Sequence, residues 1–376
     1  EIIKTKKDGL KLIGLSFINN QDASYLKEHL DDGMHDSLFW EEALYQKNKM
    51  FIYGKIVDTN YVDEINTYEE LRNVDDHSTH LNNETLSLIA DVFKINVEQI
   101  KNIKSLKKGM TNRSFLFEIN QDKYIMRIPG EGTDQLINRK EEYEVYQVIK
   151  DLNISDEVIY MNPQNGYKIT KYLNDTRVCN QDDQEDLRKC MQLLKYFHQQ
   201  DLKVDHEFNV FEKIDFYEKL RGPKSLYKDY DQTKEKVFSL KNIIEKMPKE
   251  WRLCHIDANC DNFLFYKENE EEKIKLIDWE YAAMQDIHLD IAMFCIYSMY
   301  NRQQVDNLID IYFENKCDQQ TRIKIYCYIS MCGLLWSNWC EYKYTLGVEF
   351  GKYSLAQYRF AKDYYNIVIE EMENMK

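Results

Sequence analysis

Proline and glycine are scarce in this sequence, four and 12 in 376 residues. A chain so sparing with turn formers is expected to be rich in helix. Cysteine is missing from the first 178 residues, and the nine that follow (179, 190, 254, 260, 295, 317, 327, 332 and 340) are scattered. An odd, dispersed set excludes a disulfide framework and predicts reduced thiols in a cytoplasm. No stretch approaches the roughly 18 apolar residues of a membrane span. The opening EIIKTKKDGL is too polar for a signal peptide. Membrane insertion is therefore not expected. Basic residues are in deficit, 50 Lys and Arg against 65 Asp and Glu, for a net charge of −15. A nucleic-acid binder would show the opposite footprint. A small anionic ligand held by a local site stays open.

Hydrophobic residues make up 43% of the chain and aromatics 13%, with 28 Tyr, so a buried core is expected. At about 150 residues per domain, two or three domains are predicted. The chain starts at Glu1 rather than Met, which predicts the downstream part of a longer polypeptide. Residues 1–78 begin with strand patterns at 10–18 (LKLIGLSFI) and 50–57 (MFIYGKIV). Helical spacing appears at 22–33, and 64–74 reads as a short strand followed by a helix capped by Asn66 and Thr67. Residues 79–104 carry two short helical patterns, around ETLSLIADVF and VEQIKNI, and read as a helical linker. From 105 the alternation of SFLFEI (114–119) and KYIMRI (123–128) predicts a hairpin turning at Asn120-Gln121-Asp122. A helix follows over 137–152, then a strand at 167–173. Beyond 182 nearly everything reads as helix, except FLFY (263–266) and IKLIDW (274–279). The acidic run 268–272 reads as a solvated hairpin tip. A strand-rich stretch with one helix, then helices interrupted by a small hairpin, is the bilobal order of protein-kinase-like folds. The predicted class is α+β, with an N-lobe over 105–174 and a C-lobe over 175–376.

Phosphoryl transfer needs a phosphate cradle, a cation on the phosphates, Mg²⁺ ligands and a carboxylate at the attacking hydroxyl. His255-Ile256-Asp257-Ala258-Asn259-Cys260-Asp261-Asn262 fits H-x-D-x-x-x-x-N. Asp257 would accept the hydroxyl proton, and Asn262 would turn back to bind Mg²⁺. An apolar strand then leads to Asp278, a second oxygen ligand for this hard cation. His255 reads as a structural core histidine. Cys254, His255, Asp257 and Cys260 could suggest a transition-metal site, but a structural zinc site needs four ligands and no second pair is present. Upstream, Lys107-Lys108-Gly109-Met110-Thr111-Asn112 precedes a strand and could cradle phosphates through backbone N–H groups, or be a bare turn. Arg127, flanked by apolar residues, needs anionic partners: the phosphates and a carboxylate on the next helix. Glu142 is the choice, with Glu141 and Glu144 as rivals. Trp336 and Trp339 stand at i and i+3 with Tyr342 beyond, and Tyr297 and Tyr300 form another such pair. Such stripes are usually core, yet a Trp–Tyr cluster beside acids also makes a box for quaternary ammonium.

Taken jointly, GMTNRSFLFE (109–118), YIMRIPG (124–130), NRKEEYEVY (138–146), HIDANCDNFLF (255–265), LIDWEYAAMQDIHLDIAMF (276–294), LLWSNWCEYKY (334–344) and EFGKYSLAQYRF (349–360) resemble the choline/ethanolamine kinase family, within the aminoglycoside-phosphotransferase-like kinases. The resemblance is strongest to bacterial choline kinases that supply phosphocholine for cell-surface decoration. It implies ATP and choline as substrates, Asp257 as base, Asn262 and Asp278 as Mg²⁺ ligands and Arg127 as the phosphate-binding cation. Thr111 and Asn112 fall on its nucleotide loop. Lys171, Tyr172 and Leu173 fall on the hinge that would bind adenine. Trp336 and Trp339 resemble the walls of the choline site, with Tyr297, Tyr300 and Glu280 beside them. Tyr297 stands where animal enzymes place an acid, which shifts cation recognition toward aromatics. Rival readings are a kinase of another small amine or an aminoglycoside, and a non-catalytic kinase-fold scaffold. Residues 1–78 resemble the last third of a bacterial phosphocholine cytidylyltransferase, a partial α/β nucleotidyltransferase segment, with Asn66 where that family has Asp. The resemblance implies a natural fusion in which the kinase contacts the rest of that domain. No Gly-rich nucleotide loop precedes it here, so no cytidylyltransferase activity is expected of this chain.

Overall fold

The computed structural model describes residues 84–106, 112–130, 136–269 and 271–375, together with Ala23, Ser24 and Lys27. The chain divides into two compact units, Glu1–Thr85 and Leu86–Lys376. In the first, Ala23, Ser24 and Lys27 are helical, inside the helix expected over 22–33. The other expectations for residues 1–78, the nucleotidyltransferase-like segment and Asn66 among them, lie outside the described residues.

Helix α1 (Glu84–Phe93) lies where ETLSLIADVF predicts it. The second helical reading is corrected: only Val97–Gln99 forms a helical turn, and Lys101–Leu106 is strand β1. It pairs antiparallel with β2 (Asn112–Ile119). A waiting strand edge outweighs local helical spacing in so short a segment. β2 and β3 (Asp122–Pro129) pair from Asn112↔Pro129 to Ile119↔Asp122. The turn is therefore two residues rather than three, and Asn120 and Gln121 both take positive φ, 52° and 74°. That is the hairpin geometry whose twist matches the flanking strands. β4 (Val158–Met161) and β5 (Lys168–Lys171) complete an antiparallel sheet in the order β1-β2-β3-β5-β4. Helix α2 (Arg139–Ile149) is capped by Asn138, whose side chain accepts the N–H groups of Lys140 and Glu141. Its inward face is Val145, Tyr146 and Ile149, and it also buries Arg139 and Glu142.

The rest is helical: α3 (Gln184–His198), α4 (Val210–Arg221), α5 (Tyr230–Ser239), α6 (His288–Tyr297), α7 (Arg302–Phe313), α8 (Gln319–Thr345) and α9 (Lys352–Asn374). Two small sheets interrupt it. One joins β6 (Arg177–Val178), β8 (Phe263–Glu268) and β9 (Glu271–Leu276), and the other joins β7 (Trp251–Cys254) to β10 (Ala283–Asp286). Helix α8 is buried throughout its middle. A Cβ on its Gly333 would lie 2.6 Å from the Gln357 carbonyl and 2.8 Å from the Ala361 nitrogen of α9. Only glycine admits that approach. The acidic hairpin tip is not merely solvated, since Glu272 pairs with Arg177 at 2.8 Å and Lys189 at 2.7 Å. All nine cysteines are free thiols. No helix among the described residues is long and apolar enough to cross a membrane.

Candidate active site

The β8–β9 hairpin assembles the centre. Phe263 pairs with Leu276, so the residue before β8 and the residues after β9 emerge at one end. The Ile277 N–H donates to the Asn262 carbonyl at 2.9 Å, which brings Asn262 beside Asp278. The preceding loop is folded by Asn259, whose side chain accepts from the N–H groups of Asp261 and Asn262 at 2.9 and 3.2 Å. Asn262 Nδ2 donates to Asp257 Oδ2 at 3.0 Å, and Asn259 Nδ2 to Oδ1 at 3.2 Å. Both oxygens of Asp257 are thus oriented from the loop itself. Burial pushes its carboxyl up to about 6, against the lowering influence of Tyr297, Asn259 and Asn262.

Asp290, fully buried on α6, holds this loop. One carboxylate oxygen accepts from the Ile256 N–H at 2.7 Å and the other from the His255 N–H at 2.8 Å. The second also meets His198 Nε2 at 3.0 Å, while His198 Nδ1 meets the Tyr312 hydroxyl at 2.8 Å. Ile256 has φ 68°, a left-handed conformation that is an outlier for a β-branched residue. His198, Cys254 and Asp290 lie within 4.8 Å of one another. Their donor atoms are already engaged, the Cys254 thiol with the Gln285 carbonyl, so the trio is a brace rather than a metal site. His255 is structural, as expected: its Nε2 donates to the Ile277 carbonyl at 3.0 Å and its ring meets Trp279 edge-on. Burial lowers its pKa to about 4, so the imidazole stays neutral.

On the sheet side, Arg127 sits between Ser114 and Lys168 in the ladder. Of the three carboxylates considered on α2, Glu142 closes on it, with two parallel bonds of 2.5 and 2.8 Å. Glu141 instead accepts from Asn138 Nδ2. Burial alone would raise the Glu142 pKa, but Arg127, Lys168 and Arg139 outweigh it and hold the carboxyl at about 2. Arg127 also accompanies Asp278 at 4.0 Å and Glu280 at 3.7 Å. Sequence reasoning missed Arg139 and Lys168, both buried. Arg139 Nη1 is 3.2 Å from Glu142 and 3.4 Å from Glu280. Gly166, at φ 70°, leaves room for it: a Cβ there would fall 2.7 Å from Arg139 Cδ.

Glu280, expected beside the aromatic residues, accepts from Asn112 Nδ2 at 3.0 Å and Arg139 at 3.4 Å on the sheet side, and its charge also reaches Tyr217 and Tyr281 of the aromatic cluster. Burial, then the neighbouring Asp278, raises its carboxyl to about 7. Burial likewise raises Asp278 to about 6, against Lys168 and Arg127.

The aromatic residues gather near Asp257 through Tyr297. Trp336 and Trp339 meet at 5.3 Å between ring centres, Tyr297 meets Trp336 at 5.4 Å, and Phe350 meets Trp339 at 5.1 Å. Tyr281 meets Trp336 edge-on at 6.1 Å. Burial raises the pKa values of Tyr217, Tyr281, Tyr297 and Tyr353, and the Asp257 charge adds to each; at Tyr217 and Tyr281 the Glu280 charge counts for more. The Tyr297 hydroxyl faces Asp257 but has no hydrogen bond of good geometry among the described residues. Tyr217, Phe350, Tyr353 and Tyr281 were not foreseen. Tyr281 alone had a signal, three residues past Asp278. Tyr300 is a correction. Helix α6 ends at Tyr297, Met299 turns the chain at φ 52°, and the Tyr300 hydroxyl donates to the Gln181 carbonyl, away from this cluster.

Of the hinge residues, Lys171 is exposed, and its N–H bonds the Glu157 carbonyl. The Tyr172 N–H is taken by the Lys123 carbonyl at 2.9 Å. Leu173 has no backbone partner among the described residues. Thr111 lies outside the described residues.

An antiparallel sheet beside a helical part, with Asp257, Asn262 and Asp278 converging at one end of a hairpin, is a kinase-like fold of mixed α and β content. A sequence profile of the choline/ethanolamine kinase family matches residues 103–332, and the chain belongs to that family. It is thus an ATP-dependent kinase acting on an alcohol. Protein LicA of Haemophilus influenzae is 28% identical over 266 residues, 66% of this chain and 76% of that protein. The crystal structure of choline kinase LicA from Streptococcus pneumoniae aligns with TM-score 0.65 and 26% identity, covering 76% of this chain and 99% of that one. A LicA in complex with AMP aligns with TM-score 0.64 at 26% identity, over 76% of this chain and 100% of that one.

Proposed function

We propose that this chain is a choline kinase, transferring the γ-phosphate of ATP to the hydroxyl of choline to give phosphocholine. The observation that carries the reading is the placement of Asp257. Asn262 and Asn259 hold its carboxylate on one side, and tyrosines of a Trp-centred cluster face it on the other. An alcohol whose far end is a quaternary ammonium suits that arrangement. The trimethylammonium would lie against Trp336, Trp339 and Tyr297, where cation–π attraction is worth ~2 kcal/mol when desolvated. Its hydroxyl would reach Asp257, which orients it and takes its proton.

Mg²⁺ fits the residues present. The Asn262 amide and the Asp278 carboxylate are hard oxygen donors at one point, and several carboxylates crowded there favour a cation. When bound, it neutralises phosphate charge. Arg127, locked by Glu142, adds a fixed positive charge beside Asp278. Asn112, with Thr111, belongs to the nucleotide loop, and Lys171, Tyr172 and Leu173 frame the adenine. The Leu173 N–H is the hinge donor, since that of Tyr172 is taken. The lobes are those expected from the sequence, divided near 174, with the first extended back to Lys101 to take in β1, and the site of action is the cytoplasm, where reduced thiols and ATP coexist. On sequence resemblance alone, residues 1–78 are read as the C-terminal part of a phosphocholine cytidylyltransferase.

Asp257→Asn should abolish turnover while leaving ATP binding nearly intact. Trp336→Ala and Trp339→Ala should chiefly raise the choline KM. Wild-type kinetics in both Trp variants would show the cation site to be elsewhere.

A further inference from the structure

One member of the aromatic cluster already has a cation against it. Lys343 stands one helical turn beyond Trp339 on α8, and its Nζ lies 5.5 Å over the Trp339 ring centre. The side chain is half-buried. Among the described residues its ammonium has no carboxylate within 4.0 Å and no hydrogen bond. Such a cation keeps part of its hydration, and within the protein its charge is met by a ring face. Burial lowers its pKa, and Glu280, at the site, is the charge that pulls it back up. The ammonium therefore lies over a ring of the aromatic cluster and within reach of the Glu280 charge. Glu280 is not free to pair with it, because Asn112 and Arg139 already hold that carboxylate.

We infer that Lys343 is a resident cation of the aromatic site, displaced by the ammonium of the substrate, and that it sets the KM for cationic alcohols. The inference rests on the choline-kinase reading and deepens it. Two like charges compete for the Trp339 face, so binding of a cation must first move the Lys343 ammonium toward solvent. A flexible four-carbon stem makes that movement easy. A neutral alcohol of the same shape meets no such repulsion. Lys343 is thus a specificity residue that weakens cation binding without touching the phosphates or Asp257.

The test compares choline with its neutral isostere 3,3-dimethylbutan-1-ol, used as substrate or competitor, in the wild type, Lys343→Met and Lys343→Arg. Lys343→Met should lower the choline KM by roughly 5-fold, with kcat and the constant for the neutral isostere unchanged within a factor of two. Lys343→Arg should keep the wild-type choline KM. An unchanged choline KM in Lys343→Met, a raised one, or equal shifts for choline and the isostere would overturn the inference. A wild-type chain that fails to phosphorylate choline at all would instead overturn the underlying functional reading.

Discussion

Replacing Asp290 with Asn should uncouple the Asp257 loop from the helix that holds it. Asp290 receives two backbone N–H groups, from Ile256 at 2.7 Å and His255 at 2.8 Å, as well as His198. An amide presents one acceptor oxygen and one NH₂, so one of the two backbone donors would face another donor. Losing one charge-assisted bond and leaving one buried N–H unsatisfied costs about 3 kcal/mol. Ile256 sits at φ 68°, and such a conformation costs about 1–3 kcal/mol that the surroundings must outweigh. With the brace weakened, Ile256 can relax toward ordinary backbone and carry the adjacent Asp257 with it. A displacement on the order of 1 Å can cost about 100-fold in rate. Asp290→Asn should therefore lower kcat about 100-fold, leave the choline and ATP KM values within a few-fold, and lower Tm by roughly 5 °C or more. Asp310→Asn, which removes a partly exposed partner of Arg322, is the control and should change little. Steady-state kinetics and thermal melts read both. Wild-type kcat and Tm in Asp290→Asn would refute the brace.

Arg127→Met should abolish activity and cost about 1–3 kcal/mol of stability, because it removes both short bonds to the buried Glu142 and leaves only Arg139 and Lys168 to meet its charge. Adding Glu142→Gln should recover part of the stability and none of the activity, as read by urea unfolding. Gly333→Ala should destabilise by about 1–3 kcal/mol, since α9 backbone occupies the space of the new methyl. The neutral His255, held at about 4, gives a pH dependence of stability. Protonation favours the unfolded chain, so its contribution is full above about pH 6.5 and falls by about 3 kcal/mol as pH drops toward 4. The raised carboxylates of Asp257, Asp278 and Glu280 act in the opposite sense. The quantity to measure is therefore the difference between wild type and His255→Asn unfolding at pH 7.5 and 5. A difference that does not shrink at the lower pH would contradict the assignment.

What the sequence reveals and what it hides divide along physical lines. The hairpin of β2 and β3 is legible because alternation and a turn residue agree. Asp257, Asn262 and Asp278 are legible because their spacing is fixed by a short loop and two apolar strands whose pairing follows from length. Arg127 with Glu142 is legible because a cation among apolar residues demands a carboxylate. Arg139 and Lys168 stayed hidden because a buried charge looks, in sequence, like any surface charge. Asp290 stayed hidden for the same reason, since its partners are backbone groups 34 and 35 residues away. Tyr217 and Tyr353 join the aromatic cluster only through the packing of helices far apart in the chain. Tyr300 was grouped with Tyr297 by a helical period that the structure ends at Tyr297, with a left-handed Met299 before Tyr300. Residues 97–103 read as helix because a partner strand is invisible to local spacing.

The central claim is that Asp257 lies between a nucleotide site and a cage for a quaternary ammonium. The most direct measurement is a coupled ADP-release assay with ATP and Mg²⁺, run in parallel with choline, ethanolamine and kanamycin. The account predicts turnover with choline at a kcat/KM well above that for ethanolamine, none with kanamycin, and loss of all turnover in Asp257→Asn. Preference for ethanolamine or kanamycin would contradict the cage, and no turnover with any of the three would contradict the reading of the chain as a choline kinase.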